Sequence, residues 1–126
     1  MKITETNDIF FCHARSGFKI ALSSYNFSPE TEILVPDFNC ESMFHCERDL
    51  KIKFITFKMN LDLTINWIDL KKKLNIKSKV LLFVNYFGVP NEIEKLLEFS
   101  KKNNLILIED NSHGYKGKFN NIELGR

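Results

Sequence analysis

Asp110 and His113 follow directly on the apolar run Leu105-Ile106-Leu107-Ile108, with Glu109, Asn111, Ser112 and Gly114 around them. An apolar run that stops abruptly at acidic residues reads as a strand covered on both faces. In open α/β sheets, ligands bind just beyond the carboxyl ends of such strands. A carboxylate and an imidazole at that place could hold a positive charge or handle a proton. Each also has a plainer reading: Asp110 could form a turn or cap loose backbone N–H groups, and His113 could be a hydrogen-bonded structural residue.

The elements that must position this pair repeat along the chain. Short strands are expected at Thr31–Pro36, Ile52–Phe57, Val80–Asn85 and Leu105–Glu109. Helices lie between them. The clearest spans Glu92–Lys102, with Asn91 as cap, Glu94 completing a capping-box-like pair, and Ile93, Leu96 and Leu97 as one apolar stripe; Glu98 and Lys102 support its wet face. Others are expected at Ser16–Tyr25, with Phe18, Ala21 and Leu22 inward, at Cys40–Asp49, and at Trp67–Leu74 behind an Asn66 cap. Strands alternating with helices predict parallel βαβ units, and apolar strands such as Leu81 to Val84 fit a sheet covered on both sides. The fold class is α/β, a mostly parallel sheet in a three-layer α/β/α arrangement.

Composition narrows the class of partner without naming one. A hydrophobic share of 44% is enough for a core, and a net charge of +2 leaves no strong footprint for nucleic acid. The Lys71-Lys72-Lys73 and Lys101-Lys102 runs read as wet helix faces. No apolar run reaches the roughly 18 residues of a membrane span, Met1 to Phe10 do not read as a signal peptide, and a cytoplasmic location is expected. Cys12, Cys40 and Cys46 make no even disulfide framework. His13 and His45 adjoin two of them, but no Cys-x-x-Cys spacing is present and no metal is expected.

Taken in order, Pro36-Asp37-Phe38-Asn39-Cys40-Glu41-Ser42, Val84-Asn85-Tyr86-Phe87-Gly88-Val89-Pro90 and Ile108-Glu109-Asp110-Asn111-Ser112-His113 resemble successive motifs of the DegT/DnrJ/EryC1/StrS aminotransferases. The resemblance runs from about Phe11 to Gly117. It implies the large domain of a fold type I, pyridoxal 5'-phosphate (PLP) dependent transferase. Such enzymes commonly move an amino group from glutamate to a keto group of a nucleotide-linked sugar in surface-polysaccharide biosynthesis. By the same resemblance, Asp110 lies beside the pyridine nitrogen of PLP and keeps the ring protonated, and His113 sits near the ring and its phenolic oxygen. The phosphate would rest at the start of the first helix, at His13-Ala14-Arg15-Ser16-Gly17-Phe18, with Arg15 and Ser16 as contacts. Arg15 can equally be a solvated surface charge.

The chain departs from the family's pattern at several points. Ala14 stands where a glycine would ease close backbone approach. Cys40 stands where many members place a ring that stacks on the cofactor, and it reads as a small buried thiol, not a nucleophile. The Schiff-base lysine of the family lies further along than these motifs. Lys116 and Lys118, in Tyr115-Lys116-Gly117-Lys118-Phe119, match ordinary surface lysines.

Residues 1–126 are therefore expected to be a single, truncated cofactor-binding domain, inactive alone, completed by a homodimer partner or a complementing chain. The alternative is a non-catalytic α/β interaction module, or one half of a split enzyme. A flavodoxin-like or receiver-like domain is a lesser alternative, because Glu109-Asp110 follows the fourth strand and Pro36-Asp37 offers one carboxylate where a receiver needs a cluster.

Overall fold

The computed structural model describes residues 9–114 and 116–125. Its frame is a four-stranded parallel sheet of order β2-β1-β3-β4, built from β1 (Glu32–Pro36), β2 (Lys53–Phe57), β3 (Ser78–Val84) and β4 (Ile106–Asp110). Helix α1 (Ala14–Ser23) precedes the sheet. A 3₁₀ turn (Glu41–His45) running into α2 (Cys46–Leu50) links β1 to β2, α3 (Trp67–Lys73) links β2 to β3, and α4 (Ile93–Lys102) links β3 to β4. A small antiparallel hairpin, β5 (Lys118–Phe119) and β6 (Ile122–Glu123), follows.

Successive strand side chains point to opposite faces, so each apolar strand feeds two cores. On one face Ile33, Val35, Val80 and Leu82 pack with Phe18 and Leu22 of α1 and with Met43 and Cys46. On the other, Leu34, Leu81 and Phe83 pack with Leu70 of α3 and Leu96 of α4. This double covering is what the unbroken run Leu81 to Val84 predicts. No helix among the described residues is long and apolar enough to cross a membrane.

The expected elements are present, with differences in detail that have local causes. Asn66 caps α3 as expected, its side-chain oxygen accepting from the Asp69 N–H at 3.0 Å. Asn91 does not cap α4. Its side chain instead donates to the Val84 carbonyl at 2.6 Å, and Glu92 occupies the cap position without a side-chain bond to the helix N–H groups. The carbonyl at the tip of β3 needs a donor where the ladder ends, and Asn91 supplies it.

Within α4, Leu96 is fully buried, but Leu97 is 56% exposed: the buried line runs through Leu96 and Ser100, with Ile93 and Phe99 half-buried beside it. Glu98 and Lys102 form no ion pair, and the ion pair of this helix joins Glu92 to Lys95 at 3.0 Å. In α1, Phe18 and Leu22 are buried while Ala21 is exposed.

The helix expected at Cys40–Asp49 is broken. Cys40 is extended, with its N–H held by Asn39 Oδ1 at 2.8 Å, and its carbonyl accepts from Met43 three residues on, which winds the segment as 3₁₀ before α2. Lys51 then ends α2 in the left-handed region, at φ 55°.

Candidate functional site at the strand tips

Because β1, β3 and β4 are adjacent and parallel, their carboxyl ends deliver three loops to one place. The loop after β1 brings Phe38, Asn39 and Cys40, the loop after β3 brings Tyr86, and the end of β4 with the loop after it brings Asp110, Ser112 and His113. Together with His13, Ala14 and Arg15 at the start of α1, these residues surround a cavity of about 440 Å³ floored by Val84 and Met43. That volume lies in the range of small-molecule sites, roughly 300–1,000 Å³.

Asp110 closes β4 opposite Val84, and its carbonyl accepts the Asn85 N–H at 3.0 Å. One carboxylate oxygen, Oδ1, forms a turn: it accepts the Ser112 N–H at 2.9 Å and the Ser112 hydroxyl at 2.5 Å. Its other oxygen, Oδ2, has no hydrogen-bond partner among the described residues. The turn-forming reading of Asp110 thus holds for one oxygen, and the second remains available to a ligand.

His113 is exposed, stacked on Phe87 at 5.7 Å between ring centroids, with the Tyr86 ring at 6.1 Å. Phe87 sits at φ 54°, a left-handed conformation that costs about 1–3 kcal/mol in a non-glycine residue. Gly88 follows at φ 77°, and a Cβ there would lie 3.6 Å from the Cα of Gly114, so the two loops touch backbone to backbone.

Tyr86 is buried and ties the first loop to the second. Its hydroxyl donates to the Phe38 carbonyl, and its ring lies 5.3 Å from the Phe38 ring. Burial, with the nearby negative charges of Asp37 and Asp110, pushes its pKa well above the ordinary tyrosine value, so it remains a neutral donor.

The start of α1 is open. His13 occupies the cap position in an extended conformation and makes no side-chain cap bond, and the first turn carries no acidic residue. The Ser16 and Gly17 N–H groups turn back to the His13 carbonyl at 3.0 and 3.4 Å. Arg15 lines the main cavity. It also lines a smaller neighbouring cavity together with Ser16, Lys19, His45 and Asp49, so the two residues share that surface while Arg15 alone of the pair reaches the main one.

Cys40 differs from its sequence-based reading: it is exposed on the cavity wall, not buried. Its extended backbone, just ahead of the 3₁₀ turn, turns the side chain outward. The Ser42 hydroxyl, 3.1 Å from Cys40 Sγ, together with the Ser42 backbone lowers the thiol pKa, and Arg15 adds a smaller lowering. Cys46 is the buried thiol, and burial raises its pKa.

Tyr86, Phe38, Asn39, Ser42 and Met43 were not singled out as site residues in the sequence. The signal that could have found them is the rule already applied to β4: Tyr86 and Phe38 stand just past the ends of β3 and β1. No lysine lines the main cavity among the described residues, and Lys118 belongs to β5.

Comparison with known proteins supplies an independent reading. The sequence model of the DegT/DnrJ/EryC1/StrS aminotransferase family matches residues 3–126. A GDP-4-keto-6-deoxy-D-mannose 3-dehydratase of Escherichia coli O55:H7 is 29% identical over 92 residues, covering 71% of this chain and 24% of that protein. The chain thus spans about a quarter of that curated relative's length.

Among solved structures, 3-amino-5-hydroxybenzoic acid synthase superposes with a TM-score of 0.79 at 18% identity, covering 88% of this chain and 29% of that one. An E. coli GDP-4-keto-6-deoxy-D-mannose-3-dehydratase with bound hydrated PLP superposes with a TM-score of 0.69 at 20% identity, covering 88% and 30%. At these identities the likeness establishes a shared fold, part of the α/β domain of PLP-dependent aminotransferases.

Proposed function

Because this chain belongs to the DegT/DnrJ/EryC1/StrS aminotransferase family, we propose that it forms the N-terminal part of the cofactor-binding domain of a PLP-dependent enzyme acting on a nucleotide-linked sugar. The observation that carries this reading is Asp110, a strand-tip carboxylate with one oxygen fixed by Ser112 and the other unpartnered beside a cavity of about 440 Å³.

The residues fit the cofactor. Asp110 supplies an anion for a protonated ring nitrogen, Val84 and Met43 an apolar floor, and the uncapped start of α1 with Arg15 a seat for a phosphate. His113, Tyr86 and Cys40 complete the wall, and Ser16 stands one step behind Arg15. When bound, PLP supplies an electron sink for chemistry at a substrate carbon.

What the chain itself does is orient and tune. Asp110 would hold a proton on the ring nitrogen of a bound PLP by its negative charge. His113, placed by its stack on Phe87, offers a proton-bearing nitrogen at the rim. Tyr86 keeps the first and second loops in register through the Phe38 carbonyl.

Within this reading, the whole enzyme transfers an amino group, commonly from glutamate, to a keto group of the sugar in the cytoplasm. The cavity is lined by no lysine among the described residues, which favours completion by residues outside them, on the same protein or on a complementing chain, that supply the lysine the family uses to hold the cofactor. An interaction module that has lost catalysis is the second reading, favoured by the same feature.

Equilibrium dialysis of the chain against PLP tests the proposal. Saturable uptake that falls in Asp110→Asn is expected. Uptake unchanged by that substitution, or a visible absorbance band abolished by replacing Lys116 or Lys118, would overturn the assignment of roles.

A further inference from the structure

Beneath the cavity, on the opposite face of the sheet, lies a polar cluster for which the proposed chemistry has no use. Asn85 is fully buried, and its side chain donates to Glu109 Oε1 at 2.6 Å while its Oδ1 accepts the Asn91 N–H at 3.1 Å. The same Glu109 Oε1 accepts the Gly125 N–H at 2.9 Å, across sixteen residues of chain. One carboxylate oxygen of the half-buried Glu109 thus joins the tip of β3, the tip of β4 and the exit of the β5–β6 hairpin.

The segment tied down this way packs directly on the loop that carries Asp110 and His113. Gly117 donates to the Gly114 carbonyl at 2.8 Å, and Leu124, itself buried, donates to the Gly117 carbonyl at 2.9 Å. A Cβ at Gly117 would lie 2.8 Å from Leu124 and 3.0 Å from the Gly114 oxygen, so there is no slack between hairpin and loop. Gly114 in turn abuts Gly88 and accepts from Asn111 at 3.2 Å.

We infer that Glu109 is a positioning residue. By fastening the hairpin exit to the strand tips, it holds the 110–114 loop, and through it the Asp110 carboxylate and the His113 ring, in the orientation that a cofactor requires. The physical basis is that one acceptor shared by two donors on different elements fixes those elements to each other, and sub-ångström placement of groups around a reacting centre is set by such supports. The role of Glu109 rests on the PLP reading for its consequence, but not for its geometry.

The test compares the full chain with Glu109→Ala and Glu109→Gln. Amide hydrogen exchange is followed at Gly114, Gly117, Leu124 and Gly125 against the mid-strand amides of Leu82 and Leu107, and PLP affinity is measured by dialysis with the ¹⁵N shift of ring-labelled PLP. Glu109→Ala is expected to speed exchange of the hairpin and loop amides about tenfold, leave the mid-strand amides unchanged, weaken PLP about tenfold and move the ring nitrogen towards its neutral shift. Glu109→Gln, which keeps an acceptor, is expected to restore most of each.

Uniform loss of protection in Glu109→Ala, or faster loop exchange with unchanged affinity and ring shift, would overturn the positioning role. If the wild-type chain takes up no PLP, the functional reading fails. In that case the exchange pattern alone decides, and loop amides unchanged in Glu109→Ala would overturn the fastening.

Discussion

The same small turn occurs twice in this molecule with opposite outcomes. In the loop between β2 and α3, Asp62 Oδ1 accepts the Thr64 N–H at 3.0 Å and its hydroxyl at 2.6 Å. At the tip of β4, Asp110 Oδ1 accepts the Ser112 N–H at 2.9 Å and its hydroxyl at 2.5 Å. Locally the two are interchangeable. Asp62 is exposed and lines none of the main cavity, whereas Asp110 is half-buried on the wall of that cavity, where three strands end side by side. The turn chemistry therefore does not make a site. Topology does, by deciding which of two equivalent aspartates stands on a cavity wall among other loops.

The strongest way to break this contrast is charge removal without loss of the acceptor. Asp110→Asn is expected to lower PLP affinity by roughly tenfold to a hundredfold, the worth of about 1.5–3 kcal/mol for a hydrogen bond to a charged group. Asp62→Asn should leave affinity within twofold. Dialysis of the two variants in parallel decides the matter, and equal losses would mean that the comparison has no functional content.

A second contrast sharpens the first through the thiols. Cys40 is exposed, with its pKa lowered by Ser42, and Cys46 is buried, with its pKa raised by desolvation. At any pH below both values Cys40 holds the larger thiolate fraction, so iodoacetamide should label it at least about tenfold faster than Cys46. Ser42→Ala should raise the Cys40 pKa and slow its labelling, and PLP should protect Cys40 alone. Mass spectrometry of timed samples reads all of these.

Helix starts give a smaller effect of the same kind. Asn66 satisfies the first turn of α3, while His13 leaves that of α1 open beside the cavity. Asn66→Ala is expected to cost about 1 kcal/mol of stability and leave PLP binding unchanged. His13→Asp should add about 0.5–1 kcal/mol of stability by capping α1, yet weaken PLP about fivefold by repelling its phosphate. Melting curves and dialysis on the same samples separate the two.

The frame was legible in the sequence because its signals are local: apolar runs such as Leu81 to Val84 announce a strand covered on both faces, and Asn66 announces α3. Misreadings arose where a side chain serves something distant. Asn91 looks like a cap by position but is drawn to the Val84 carbonyl, and Cys40 looks buried by type but is exposed, its extended backbone held by Asn39 ahead of a 3₁₀ turn. Asp110 and His113 stood out as candidates because an acid after a strand is conspicuous, and both line the cavity. Tyr86 was overlooked because a tyrosine in an apolar context reads as core, and its bond to the Phe38 carbonyl spans forty-eight residues that no local pattern encodes.

The smallest expected effect returns to the exposed twin. Thr64 lowers the pKa of Asp62, so the ionised form is favoured in the folded chain. A carboxylate with a depressed folded pKa contributes stability above its unfolded pKa and loses that contribution as pH falls through the folded value. Asp62→Asn should therefore shallow the fall of melting temperature in acid, over the window below the usual aspartate range, and change nothing near neutrality beyond a small constant offset. A fall in melting temperature with acid identical to that of the unmodified chain would show that this turn is held by geometry alone, leaving position on the sheet as the sole difference between the two aspartates.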